Sequence, residues 1–394
     1  MVTQEIKKIS SEIVDKIITI RRKIHMHPEL GFKEFETSSL IADYLHKLGI
    51  EVKAGIAGTG VCGLLKGTSP GKTIAIRADI DALPIVEANT FHYISQNPGV
   101  MHACGHDAHI SVALGAAEIL SKLRHTINGN IKFIFQPGEE GLGGAKHMID
   151  EGIMDAPVVD AIIAAHVSPA LKTGQISILP GPIMASPSEF EIVIKGKGGH
   201  AAEPQNAVDP ISIGVNLINL FQTIISREKD PLKSAVLSVT YFHAGSSYNI
   251  IPDTAVIKGT VRTFDSLVDK IISQRMERIA SSTTAAMGGE CEFTYMAGYP
   301  VLVNDAQTVK QIIASAGKII EKENVITDID PTMKAEDFAY YTQKAPGALF
   351  NLGCGNVEEG IIHGLHSNKF KIDEGCLKVG MEIMSQCAID FLTT

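Results

Sequence analysis

Residues 131–166 read IKFIFQPGEEGLGGAKHMIDEGIMDAPVVDAIIAAH, and their patterning decides the fold. Ile131 to Gln136 and Ala161 to His166 are short apolar runs that read as buried strands, and Gly144 to Glu151 between them reads as a helix. Upstream, Thr73 to Ala78 reads as a further strand and Asp107 to Arg124 as a further helix. Strands alternating with helices build a layered α/β domain with parallel strands. Clefts in such sheets open at the C-terminal ends of the strands. Glu139, Glu140 and His166 fall at those ends.

Working outward, residues 11–49 read as helix with a break at His27-Pro28, because proline disfavours helix in the residue before it. From about Pro187 the pattern changes. Glu189 to Lys195 alternates as a strand, Pro210 to Arg227 is helical, Ala235 to Phe242 and Thr254 to Arg262 are strands, Ser266 to Met287 is helical, and Glu290 to Met296 is a strand. That β-α-β-β-α-β order is a split two-layer sandwich. A helix at Thr308 to Glu323, a buried strand at Ala348 to Gly353 and a closing helix at Glu374 to Phe391 follow. The expectation is an α/β protein. Its discontinuous first domain (1–186 and 298–394) carries a mixed, largely parallel sheet flanked by helices, and a two-layer domain (187–297) is inserted in it.

The chain has 394 residues, more than one hydrophobic core usually supports. Hydrophobic residues make up 45% and charged ones 20%, which excludes bulk disorder. With 35 Lys plus Arg against 44 Asp plus Glu, and no basic run, nucleic acid is excluded as a partner. The most apolar long segment, 208–225, is interrupted by Asp209, Pro210, Asn216, Asn219 and Gln222, so no membrane span is expected. The first ten residues lack the apolar core of a secretory signal. Six scattered cysteines suit reduced thiols. The reading is cytoplasmic.

Several motifs fail. Gly58-Thr59-Gly60-Val61-Cys62-Gly63 matches a dinucleotide fingerprint, but glycines and a proline follow where its helix should open. Gly71-Lys72-Thr73 lacks the earlier glycine of a phosphate loop, and neither G-x-S-x-G nor H-E-x-x-H occurs. The positive signal starts at His102-Ala103-Cys104-Gly105-His106-Asp107. Thiolate and imidazole, both ligands that transition metals favour, stand two residues apart before a helix, with a glycine that lets the loop turn. The ordinary reading is a buried thiol beside a capping Asp107. Glu139-Glu140 point to different sides of the chain, so one carboxylate suits a cation while its neighbour serves as proton acceptor. His166, at a strand end, and His363-Gly364-Leu365-His366, in a glycine-containing loop, add imidazoles whose default is structural. Asp79 and Asp81 share a side at a strand end, suited to orienting a ligand imidazole.

Together these strings resemble the metallo-amidohydrolases that include hippurate hydrolase, N-acyl-amino-acid amidohydrolases and plant indoleacetyl-amino-acid hydrolases, within the aminoacylase and carboxypeptidase superfamily. The resemblance runs from His25-Met26-His27-Pro28-Glu29-Leu30 to Leu365-His366-Ser367. It implies a site for two divalent metal ions (manganese, zinc or nickel) built from Cys104, His106, Glu140, His166 and His366, with Cys104 bridging and Glu139 as the base. It implies an inserted domain that serves as lid and homodimer interface. Gly198-Gly199-His200 resembles the segment whose histidine reaches the partner subunit's site to hold the developing oxyanion. Asn249 and Arg262 resemble carboxylate-recognition positions, and an arginine fork suits a carboxylate. Lys334-Ala335 before Glu336-Asp337-Phe338, where the family has Gly-Ser, and Asn368, where it has Pro, depart from the pattern and put specificity in question.

The expected activity is hydrolysis of the amide of an N-acyl (acetyl, benzoyl or similar) amino acid, a small-molecule substrate. Two rivals remain. One is a hydrolase in which Cys104 is the nucleophile. The other is a catalytically silent binding protein for amino-acid conjugates.

Overall fold

The computed structural model describes residues 2–393. The chain divides into two compact units, one of residues 1–181, 303–330 and 337–394, the other of 182–302 and 331–336.

The first unit is organised by an eight-stranded sheet. Its strands are β1 (Glu51–Ile56), β2 (Gly60–Lys66), β3 (Ser69–Asp79), β4 (Asn128–Gln136), β5 (Ala161–Lys172) and β6 (Ile176–Ser177), joined by two strands from much later in the chain, Val325–Ile326 and Gly347–Gly355. In space the Gly347–Gly355 strand lies beside β5, and the order reads β1-β2-β4-β3-β5, then Gly347–Gly355, β6 and Val325–Ile326. The central run from β4 through β3 and β5 to Gly347–Gly355 is parallel, and β1 and β2 pair antiparallel at one side. The sheet is therefore mixed and mostly parallel, as the alternation of strands and helices implies. Helices α1 (Val2–Met26), α2 (Phe35–Lys47), α3 (His106–Lys122) and α4 (Gly144–Asp150) belong to this unit. Helix α1 starts earlier than the expected residue 11, because Ile6, Ile13, Ile17 and Ile24 continue one buried face at helical spacing. It ends at Met26, ahead of Pro28 as expected. Arg21 on α1 is fully buried and its Nε lies 2.6 Å from Asp107 Oδ2 on α3.

The second unit contains a four-stranded antiparallel sheet of β7 (Ser186–Lys195), β8 (Ala235–Ala244), β9 (Thr254–Thr263) and β10 (Glu290–Ala297), in the order β8-β9-β7-β10. Helices α5 (Pro210–Thr223) and α6 (Ser266–Ala286) carry its core, with Ile213, Leu217, Phe221, Ile272 and Met276 buried against Phe190, Ile192, Ile194 and Ile257. Asp209 and Asp265 cap the two helices by accepting the amides of Ile211 and Leu267. This is the β-α-β-β-α-β sandwich that the sequence pattern predicts. Back in the first unit, β11 is Val325–Ile326, β12 is Gly347–Gly355, and α7 (Ala306–Ile319) and the largely buried α8 (Gly375–Thr393) close the chain. Among the described residues no helix is long and apolar enough to cross a membrane.

Candidate metal centre

Helix α3 opens at His106, and Gly105 before it has φ 81°, a left-handed conformation that glycine adopts at no steric cost. A Cβ there would meet Val167 Cγ2 at 2.4 Å. That turn lets Cys104 and His106 face one point, as the C-G-H spacing implies. The Glu139-Glu140 turn after β4 is pinned from two sides. Gly138 N–H donates to Glu34 Oε1 at 3.0 Å, and Glu140 N–H donates to Asp81 Oδ2 at 3.0 Å. Glu34 is itself buried and accepts the Thr59 hydroxyl at 2.5 Å. His166 lies on β5, where that strand runs beside β12. His366 has φ 63°, rare for a non-glycine residue, and its amide donates to the Ala103 carbonyl at 2.8 Å.

The structure brings six sequence-selected side chains together in the first unit. Donor atoms of Cys104, His106 and His166 lie within 4.8 Å of one another, as do those of Cys104, Glu140 and His366, and those of His106, Glu139 and Glu140. Cys104 is common to the first two sets. Both inner imidazoles are oriented by their other nitrogen. His106 Nδ1 donates to the Asp81 carbonyl at 2.8 Å, and His166 Nδ1 donates to the Val167 carbonyl at 2.8 Å. With Nδ1 so engaged, Nε2 is the ring atom that each imidazole turns into the cluster. Among the described residues, His106 Nε2 and Glu140 Oε1 are buried without a hydrogen-bond partner, although Glu140 Oε1 lies 3.2 Å from His366 Nε2.

Buried polar atoms are normally satisfied, and orphans that converge with thiol, imidazole and carboxylate need a partner of another kind. Divalent transition metals fit this mixed S, N and O donor set. The local field agrees. Burial opposes charge on Asp79, yet His106, Arg77 and the hydrogen bond from His109 hold its carboxyl well below the usual range, so it stays ionised. Glu140 is likewise held down, against burial, by His366 and His106. A cysteine nucleophile fits poorly. Burial pushes the Cys104 thiol up to about 12 and His166 down to about 3, so this pair, 3.5 Å apart, is neutral thiol and neutral imidazole. Nucleophilic cysteines need the opposite shift.

The remaining sequence-selected residues belong to the second unit. His200 is exposed on a two-residue strand paired with Ile250–Ile251, and Ala201 N–H donates to the Asn249 carbonyl at 3.0 Å, so His200 and Asn249 share one ribbon. Ala202 N–H donates to His200 Nδ1 at 3.1 Å, which leaves Nε2 as the proton-bearing nitrogen. Arg262 lies on β9, opposite Pro187 and Val236 and away from that ribbon in the sheet. Sequence reasoning missed Glu34, His109 and the Arg77-Asp337 pair (2.9 Å). His109 alone had a local signal, standing three residues after His106 on one helix face.

A family model described as peptidase family M20/M25/M40 matches residues 75–390. Thermostable carboxypeptidase 2 of Saccharolobus solfataricus is 43% identical over 392 residues, covering 98% of each chain. An N-acyl-L-amino acid amidohydrolase of Geobacillus stearothermophilus is 45% identical over 305 residues, 77% of this chain and 82% of that one. Among solved structures, the Bacillus subtilis YXEP protein, described as a dinuclear metal binding peptidase from M20 family, superposes with TM-score 0.85 at 34% identity, covering 98% of this chain and 99% of that one. Fold, donor chemistry and sequence likeness agree, and the chain belongs to peptidase family M20/M25/M40, as a metallo-hydrolase of amide and peptide bonds.

Proposed function

We propose that the protein hydrolyses the amide between an acyl group and the nitrogen of an amino acid, releasing a carboxylic acid and the free amino acid. The observation that carries this reading is the convergence of Cys104, His106, Glu140, His166 and His366 around two orphaned buried atoms. These five would hold two divalent cations, with Cys104 shared. When bound, such ions supply a Lewis acid for the amide carbonyl and lower the pKa of a water to about 7.

The chain's own residues do the rest. Glu139 accepts the proton of the attacking water and delivers it to the leaving amine. His200, with its proton on Nε2, would reach the partner subunit's site and donate to the oxyanion there as the carbonyl becomes tetrahedral. Asn249, whose Oδ1 accepts the Ser247 hydroxyl at 2.9 Å, offers its Nδ2 hydrogens to the substrate carboxylate. Arg262 stands away from that ribbon on β9, so carboxylate recognition rests on Asn249. A homodimer through the inserted unit is supported by exposed apolar side chains on α5 and β8, among them Ile211, Val215 and Phe242. A reduced, cytoplasmic setting suits the six unpaired cysteines.

A second reading, carboxypeptidase action, is favoured by the likeness to the Saccharolobus protein. Both readings break an amide whose leaving amine carries an α-carboxylate, and they differ in what lies on the acyl side. A screen of the metal-loaded protein against N-acetyl and N-benzoyl amino acids and N-blocked dipeptides separates them. Turnover of the acyl amino acids alone supports the first reading. Turnover confined to peptides overturns it.

A further inference from the structure

One buried histidine beside the donor cluster has no part in the chemistry above. His109 Nδ1 lies 2.5 Å from Asp79 Oδ1, and its Nε2 accepts the Val167 N–H at 2.9 Å. A nitrogen that accepts a backbone N–H carries no proton, so the ring is the neutral Nδ1–H tautomer and donates to Asp79. Asp79 is itself fixed, because Arg77 Nη1 donates to its Oδ2 at 2.7 Å. On the other side of the ring, the Val167 residue whose N–H His109 holds also supplies the carbonyl that accepts His166 Nδ1–H at 2.8 Å.

The sheet explains why a helix side chain does this work. β3 pairs with β5 only as far as Arg77 opposite Ala164. The ladder on that side stops short of His166 and Val167, and the Val167 amide turns to α3 for its acceptor.

We infer that His109 is a positioning residue that acts through Val167, anchoring β5 so that His166 Nε2 stays turned toward Cys104 Sγ. The inference rests on the two-cation reading and deepens it: a ligand's orientation is set by a histidine that is not itself a ligand. Without the acceptor a buried donor is left unpaired, the strand end shifts, and the imidazole moves with it. Loss of such an outer partner typically lowers metal affinity about 10- to 100-fold.

The test uses the full-length protein, stripped by a chelator and titrated with zinc by competition calorimetry, as wild type, His109→Asn and His109→Gln. Asparagine can still reach Asp79 from near the Nδ1 position but leaves Val167 without an acceptor. Glutamine places a carbonyl oxygen near the Nε2 position. The expected result is a loss of about 10- to 100-fold in affinity for one zinc equivalent in His109→Asn, most of it recovered in His109→Gln, with the metal-free melting temperatures of the two variants alike. Wild-type affinity for both equivalents in His109→Asn overturns the inference, as does an equal loss in both variants. Absence of any zinc uptake by the wild type defeats the two-cation reading itself, and this inference with it.

Discussion

Gly105 stands between two donors, and Gly105→Ala tests how tightly the cluster depends on the backbone. Two costs can be worked from the geometry. The residue sits at φ 81°, where an L side chain costs about 1–2 kcal/mol. The new Cβ would also stand 2.4 Å from Val167 Cγ2 and 3.4 Å from the Phe370 ring, an overpacking worth about 1–3 kcal/mol. The sum is about 2–5 kcal/mol. Relaxing the loop relieves this strain only by separating Cys104 from His106. In the metal-free protein the strain therefore either lowers the unfolding free energy, or is relieved there and reappears as weakened metal binding, where 2–5 kcal/mol corresponds to about 30- to 4,000-fold. Urea unfolding of the stripped protein and zinc competition titration read the two parts separately. A variant in which neither quantity moves by more than about 0.5 kcal/mol, the range of ordinary surface substitutions, would refute the reasoning.

Three further outcomes follow from the same geometry. Glu139→Gln should retain its metals by elemental analysis and lose about 100- to 10,000-fold in turnover; a normal rate removes Glu139 from the base role. Cys104→Ala should lose metal, and full occupancy measured on it would show that the thiolate is not a ligand. For Asp107, burial opposes the charge, yet Arg21 and His25 hold the carboxyl below the usual carboxylate range. Such a group stabilises the fold above its unfolded value of about 3.9 and ceases to as pH falls through its folded value. Asp107→Asn leaves Arg21 buried without this partner and should cost about 3–5 kcal/mol at pH 7, with the gap from wild type narrowing below about pH 4. An equal gap at pH 7 and pH 3 in urea titrations would contradict this.

Much of the fold was legible because its central strands are buried on both faces and read as nearly continuous apolar runs, as at Ile131–Phe135, interrupted only by Lys132, and at Ala161–Ala165. The two-residue strands β6 and β11 were not, since two residues hold no period. In the site, C-G-H and the paired glutamates were legible because their chemistry is local. Glu34 was not, because its partners Thr59 and Gly138 are 25 and 104 positions away. The Arg77 link to Asp337 spans 260 positions, and a pairing over that distance leaves no trace near either residue. The backbone at His366, with φ 63°, also gave no warning, since no glycine marks it.

The position of β12 beside β5 has a consequence for synthesis. Until Gly347–Gly355 has left the ribosome, the strand bearing His166 presents an uncovered rim of amides and carbonyls, the kind of surface on which nascent chains stick to one another. Truncated products that end before this strand therefore combine an incomplete cation pocket with an adhesive edge, and they are natural clients for chaperones and proteases.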